Sequence, residues 1–253
     1  MDIFGFLLDP ANWSGPDGVP TRLLEHLALS LAAVIAATVI GLPVGLYIGH
    51  TGRLANLAIN TSNVGRAVPS FALMVALLPI ALDLAPVLGY PPAFGLSLLP
   101  IFIAMTLLAV PPILVNAYAG LRSVDRDLLE AGRGQGLRER QILLDLELPL
   151  ASSVIAGGFR TATLQVIATA TIGAILSGGG LGRYIIDGLS RNQPDRLLAG
   201  AILVTGLALA VDGLLAAVQR RLTPRGLRVS REPRAWTGLA EVPRGGGEVG
   251  GLV

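Results

Sequence analysis

With 253 residues, 52% of them hydrophobic and only 14% charged, the chain carries too little charge to cover a soluble globule of its size and needs lipid around it. The net charge is only +2 and every basic residue is arginine; without a lysine there can be no Walker A loop, whose lysine contacts nucleotide phosphates. The absence of cysteine excludes disulfides, thiolate metal sites and thiol nucleophiles, and the two histidines, His26 and His50, stand about 36 Å apart if one helix joins them, too far to share a metal.

The leader, residues 1–26, holds Asp2, Asp9, Asp17 and Glu25 against a single Arg22, whereas a cleaved signal peptide needs a positive start. Its Phe4, Phe6, Leu7, Leu8 and Trp13 suit a short helix in the headgroup layer. Residues 27–48 then form an apolar run of about 22 residues, enough to cross ~30 Å of hydrocarbon as a helix. Further runs at 67–88, 94–115, 154–176 and 197–218 bring the expected number of spans to about five, which makes the chain an all-α polytopic membrane protein. An odd number of spans puts the termini on opposite sides. Arg53, Arg66, Arg122, Arg126, Arg133, Arg138, Arg140, Arg220 and Arg221 fall on one face, against Arg22, Arg183, Arg191 and Arg196 on the other. The first face is therefore expected to be cytoplasmic, with the N-terminus outside and the C-terminus inside.

The transmembrane domain is thus expected over 27–219. The segment 220–253, rich in Gly, Pro and Arg, reads as a disordered cytoplasmic tail. Pro43, Pro69, Pro79, Pro100, Pro111 and Pro112 fall within spans or at their ends, where each removes a backbone donor that lipid cannot replace. That pattern suits either a solute pathway or packing alone. Gly41, Gly45 and Gly49, spaced by four, allow close helix contact.

One polar arm, residues 119–151, interrupts the apolar chain. It reads as two short helices: 124–133, capped by Ser123 or Asp125 with Leu128 and Leu129 on one face, and 137–146, with Leu137, Ile142 and Leu146 near one side. Gly132, Gly134 and Gly136 interrupt between them, where the chain can turn sharply, and Pro149 is expected to end the arm. Within the spans, Arg160 lines a cavity or contacts the arm. Asp212 either pairs with an arginine or carries protons. Ser70, after Pro69, either faces the pathway or bonds back to its own helix.

Glu130-Ala131-Gly132, Gly136 six positions after the Glu, and Leu146-Glu147-Leu148-Pro149 together resemble the EAA signature of permease subunits of bacterial ATP-binding cassette importers. Glu25-His26-Leu27, Gly41-Leu42-Pro43-Val44-Gly45, Val68-Pro69-Ser70-Phe71-Ala72-Leu73 and Gly178-Gly179-Gly180-Leu181-Gly182 extend the likeness over 23–221 and resemble the permeases of osmoprotectant importers for glycine betaine, choline or carnitine. Three positions depart from the pattern. Gly132 stands where a second Ala is usual, Leu146 where Ile is usual, and Arg66 where a Gln is expected.

The resemblance implies a type I importer permease fold like that of methionine importers, in the bacterial inner membrane. It also implies partners: ABC ATPase subunits that bind ATP and Mg, a second permease, identical or paralogous, and an extracytoplasmic solute-binding protein. The chain itself would hold no cofactor, metal or catalytic residue and bind no nucleic acid. Glu130, Ala131, Gly132, Gly136, Leu146 and Pro149 would couple to the ATPase. Arg66, Pro69, Ser70 and Arg160 are candidates for the pathway or a gate, and Gly178, Gly179, Gly180 and Gly182 form an outer turn at the gate or the landing surface. The alternatives are a permease for another small solute, such as an amino acid, or a transporter driven by an ion gradient.

Overall fold

The computed structural model describes residues 3–56, 60, 68–176 and 178–222, and for residues 3 and 92–97 it describes the backbone alone. Arg66 and the chain from 223 onward lie outside the described residues, so neither the pathway role expected of Arg66 nor the nature of the tail is addressed by them.

All regular structure among the described residues is helical. Helix α1 is Ile3–Leu8, followed by a 3-10 turn at Pro10–Trp13. Helix α2 runs Val19–Thr51, α3 Ser70–Val87 and α4 Pro92–Arg122. The arm contributes α5, Arg126–Gly134, and the single turn α6, Glu139–Gln141. A π-helical stretch at Ile142–Glu147 leads into α7, Leu148–Gly173. The short α8, Gly182–Ser190, and the long α9, Pro194–Leu222, complete the chain. Five helical segments are long and apolar enough to cross a membrane, as expected. Four of them begin or end several residues beyond the apolar windows, because hydropathy marks the part that meets hydrocarbon and a helix can continue through polar residues beyond it, while Ser70–Val87 lies within its window of 67–88.

Helix α4 is the centre of the bundle. On one side it takes α2 through the small-residue stripe. A Cβ added at Gly41 would lie 3.0 Å from the carbonyl oxygen of Val110, one at Gly45 2.5 Å from that of Leu114, and one at Gly49 2.9 Å from Cβ of Leu121. The contact positions rise together along both helices, so α2 and α4 run parallel. On the other side α7 runs antiparallel: Gly120 meets Ala151, Gly158 meets Asn116 and Pro112, and Gly173 meets Ile101. Between these helices the core is mostly alanine with a few larger residues, including Ala33, Ala37, Met74, Met105, Ile113, Ala162 and Val166. Lipid supplies no hydrophobic drive between helices, so close van der Waals contact holds such a core, and small residues permit it. Helix α9 lies against α7 and α8 and buries only Ala199 and Gly200.

The chain enters the bundle through polar contacts at the start of α2. The Tyr184 hydroxyl donates to the carbonyl of Asp17 at 2.6 Å, and Phe6 meets the Tyr184 ring edge-on with centroids 5.9 Å apart. Burial pushes the Tyr184 phenol up, which keeps it a donor. The leader is therefore anchored on α8 through Phe6, while Phe4 and Leu8 stay exposed.

Gly45→Ala is expected to cost about 1–3 kcal/mol through overpacking against a backbone carbonyl that cannot move aside, read as a lower melting temperature of the purified protein. Gly206→Ala, where an added Cβ meets nothing within 4 Å, should leave that temperature unchanged or slightly raised.

Candidate coupling arm and membrane cleft

Helix α5 starts at Asp125, whose side chain accepts from the Asp127 backbone N–H at 2.9 Å; of the two caps considered, Asp125 is the one used. Leu129 turns inward, where Val124, Leu129 and Ile142 form a small core with Leu137, Leu146 and Leu150. Leu128 does not share that face as expected: it is 42% exposed. It stands on the outer surface with Glu130 and Ala131, because successive helical positions are rotated by about 100°.

The sharp turn falls at one glycine. Gly132 and Gly134 both belong to α5, correcting the expectation that all three glycines interrupt the chain, and only Gly136 of the three has positive φ, at +84°. The Gly136 N–H donates to Arg133 at 2.9 Å and the Leu137 N–H donates to Gly132 at 3.1 Å. That is the paired closure of a Schellman motif, whose left-handed position favours glycine. Gly132 has a separate reason to lack a side chain. A Cβ there would lie 3.0 Å from Cδ1 of Leu146 and 3.3 Å from Cδ1 of Leu137. The two mild departures from the signature, Gly132 and Leu146, are therefore in contact, the bulk of one fitting the space left by the other.

Pro149 does not end the arm. The helical path from Glu139 continues to Leu176, with the π-helical stretch placed just before the proline. Proline cannot donate and its ring crowds the carbonyl four residues back. A wider turn at this point re-registers the hydrogen bonds and lets the rod continue. The second half of the arm is thus the direct extension of the α7 span.

Sequence reasoning missed the side chain that ties this rod to the first span. Nδ1 of His50, in the last turn of α2, lies 2.6 Å from Oε2 of Glu147, which is only 3% exposed. Nε2 of His50 lies 3.5 Å from Glu139, and Glu139 also accepts from Arg133 at 2.8 and 3.1 Å. His50 therefore links α2 to the second half of the arm, and Glu139 passes the contact on to Arg133 in the first half. The available signal was a glutamate inside the apolar Leu146-Glu147-Leu148 run, which needs a partner if buried; nothing in the sequence says which.

Arg160 and Asp212 find each other. The guanidinium donates through Nε to Oδ1 and through Nη2 to Oδ2 at 2.6 Å, joining α7 to α9. Of the two roles considered for Arg160, contact with the arm is not the one seen: the pair opens on a cleft of about 740 Å³ lined by Gly157, Thr161, Leu164, Thr205 and Gln219 among others. Pro69 and Ser70, at the start of α3, are not part of its lining. At the opposite end, the glycine turn packs on the start of α2. The Gly180 N–H donates to Oε2 of Glu25 at 2.8 Å, Gly180 has φ +84°, and a side chain at Gly179 would collide with Glu25. Arg22, Glu25, His26 and Arg183 join Gly178 and Gly179 around a polar pocket of about 470 Å³ there.

Residues 28–224 match the family described as the binding-protein-dependent transport system inner membrane component. The chain belongs to this family. Among curated proteins it is 38% identical to a carnitine transport permease protein OpuCB of Listeria monocytogenes over 82% of this chain and 89% of that one. It is 36% identical to the choline transport system permease protein OpuBB of Bacillus subtilis, over 83% and 91%. To the osmoprotectant import permease protein OsmW of Salmonella typhimurium it is 34% identical over 90% and 100%. Among solved structures it resembles a chain of the inward-facing MetNI methionine ABC transporter, with TM-score 0.70 and 21% identity over 85% of this chain and 99% of that one. That likeness shows a shared fold. The protein is a multi-pass inner membrane transport component of this permease family.

His50→Ala would leave Glu147 buried without that partner, and the expected loss is roughly 3 kcal/mol in stability, by analogy with other broken buried pairs. Thermal melting of the purified protein checks it. Adding Glu147→Gln in the same background should recover most of the loss, whereas simply additive losses would mean the two side chains act independently.

Proposed function

We propose that the chain is the transmembrane subunit of an ATP-driven importer for a small osmoprotectant such as a quaternary ammonium compound. It forms half of the translocation pathway with a second permease, identical or paralogous. An extracytoplasmic binding protein delivers the solute, and a separate ABC ATPase, which binds ATP and Mg, drives the cycle. The names of the curated relatives, for carnitine, choline and osmoprotectants, support the solute class. Methionine enters only through a likeness of fold, which carries no substrate. In this reading the arginine-rich face is cytoplasmic, with the N-terminus outside.

One observation carries the coupling role: the arm presents an outer surface of Leu128, Glu130 and Ala131 while its inner face is packed onto the rod that becomes α7. A partner that grips this surface moves a continuous helix. Closure of the ATPase pair would displace the arm, and the spans would shift between two packings, one open to each side. Glu130 supplies the charged contact, Gly136 the turn that presents it, and Pro149 lies inside the lever. The turn at Gly178 to Gly182 would shape the outer gate or the landing surface of the binding protein.

Glu130→Lys, or Gly136→Leu at its left-handed position, should leave the protein in the membrane at normal level and reduce ATP-dependent osmoprotectant uptake by the reconstituted importer to less than about a tenth. Unaltered uptake in both variants would rule out the coupling role. Uptake by the unaltered importer should be blocked by vanadate and survive a protonophore; the reverse pattern would rule out ATP as the driver.

A further inference from the structure

Arg160 lies eleven residues beyond Pro149 along α7, about 16 Å of helix, and Asp212 eight residues before Arg220, about 12 Å. Measured from the ends of the apolar runs at 154 and 218, each lies about 9 Å inside a hydrocarbon layer ~30 Å thick. A pair that merely held α7 to α9 would be sealed by neighbouring side chains, yet the Arg160 side chain is 37% and that of Asp212 27% exposed. Charges left open to hydrocarbon at this depth are expensive, and membrane proteins place them toward water-filled cavities or the interior of an assembly. The cleft has that character, with Thr161, Thr205 and Gln219 set among Leu164, Ala168 and Leu209.

The donor geometry adds a second constraint. Arginine has five N–H donors in a fixed fork, and the contact with Asp212 uses only Nε and one at Nη2. The remaining three can meet a second carboxylate while Asp212 holds the fork still. The resting pair is neutral overall, and a solute with one positive and one negative group leaves it neutral. A cation without a carboxylate offers the guanidinium nothing and brings an unmatched positive charge beside it. Arg160 and Asp212 together thus select a zwitterion over a simple cation.

We infer, on the strength of the importer reading, that Arg160, positioned by Asp212, binds the carboxylate of a zwitterionic osmolyte in transit through the membrane. Asp212 keeps its two contacts and holds the fork while the solute's carboxylate meets the remaining donors. The alkylammonium end lies along the apolar part of the cleft.

The test uses the detergent-purified permease with its ATPase and without the binding protein, measuring radiolabelled glycine betaine and choline by equilibrium dialysis. The unaltered complex should bind glycine betaine at least about tenfold more tightly than choline. Arg160→Gln should weaken glycine betaine about tenfold or more and leave choline unchanged or tighter, since Asp212 then stands without its cation. Asp212→Asn, which keeps a hydrogen-bonding oxygen beside the guanidinium and removes the charge that offsets it, should keep or tighten glycine betaine binding. The double variant Arg160→Gln/Asp212→Asn retains a neutral hydrogen-bonded pair between α7 and α9, so it should still fold and still bind glycine betaine weakly. A structural pair predicts parallel losses in the single variants and recovery in the double one. Either that pattern, equal binding of the two solutes, or no binding of glycine betaine by the unaltered complex overturns the inference. The importer reading fails separately, if the complete system with its binding protein shows no ATP-dependent uptake.

Discussion

The rest of the structure depends on how closely α2 and α7 approach α4. At Gly45 the backbone of α2 comes so near the Leu114 carbonyl that even one methyl group would not fit, and Gly158 places α7 equally close to Asn116 and Pro112. Such contact holds helices together in lipid, where burying apolar surface gives no advantage over leaving it exposed. It also makes the three helices a stiff unit. Packed elements of this kind respond to force by moving together or switching partners, since a tight interface has few intermediate arrangements.

In the proposed coupling, that stiffness would give the arm its leverage. The Glu139 to Leu176 rod carries the arm's second half into the bundle without a break, and the π-helical stretch before Pro149 makes the continuity possible. His50 adds a second connection by holding Glu147 to the end of α2. Displacement of the arm would therefore reach two spans directly. The contact is mostly enclosed, and a buried carboxylate is costly to leave without its hydrogen-bond partner.

The Arg160 and Asp212 pair follows a different logic. It lies where α9 leaves α7 only partly covered, and α9 buries little of itself within the chain. In the proposed importer, the stiff part around α4 would transmit force, while the open part between α7 and α9 would meet the solute. Placing charge in the open half avoids the desolvation that a sealed ion pair would incur.

Much of this was legible in the sequence. Five apolar runs fixed the five spans, because only a helix satisfies its own backbone across hydrocarbon. The Gly41, Gly45 and Gly49 spacing announced a close helix contact, and the three glycines at 132, 134 and 136 announced a turn, which the structure places at Gly136 alone, where a left-handed backbone disfavours a side chain. Tertiary structure decided the rest. Whether Pro149 ends a helix or is absorbed by a wider turn depends on bonds to residues around it that propensity does not weigh. Which partner answers a buried charge is a matter of packing between distant elements: His50 meets Glu147 across 97 positions and Arg160 meets Asp212 across 52. The sequence shows that such charges need partners, but only the folded chain brings the partners together, because hydrophobic periodicity records the face a residue takes on its own helix and not the neighbour that helix will meet.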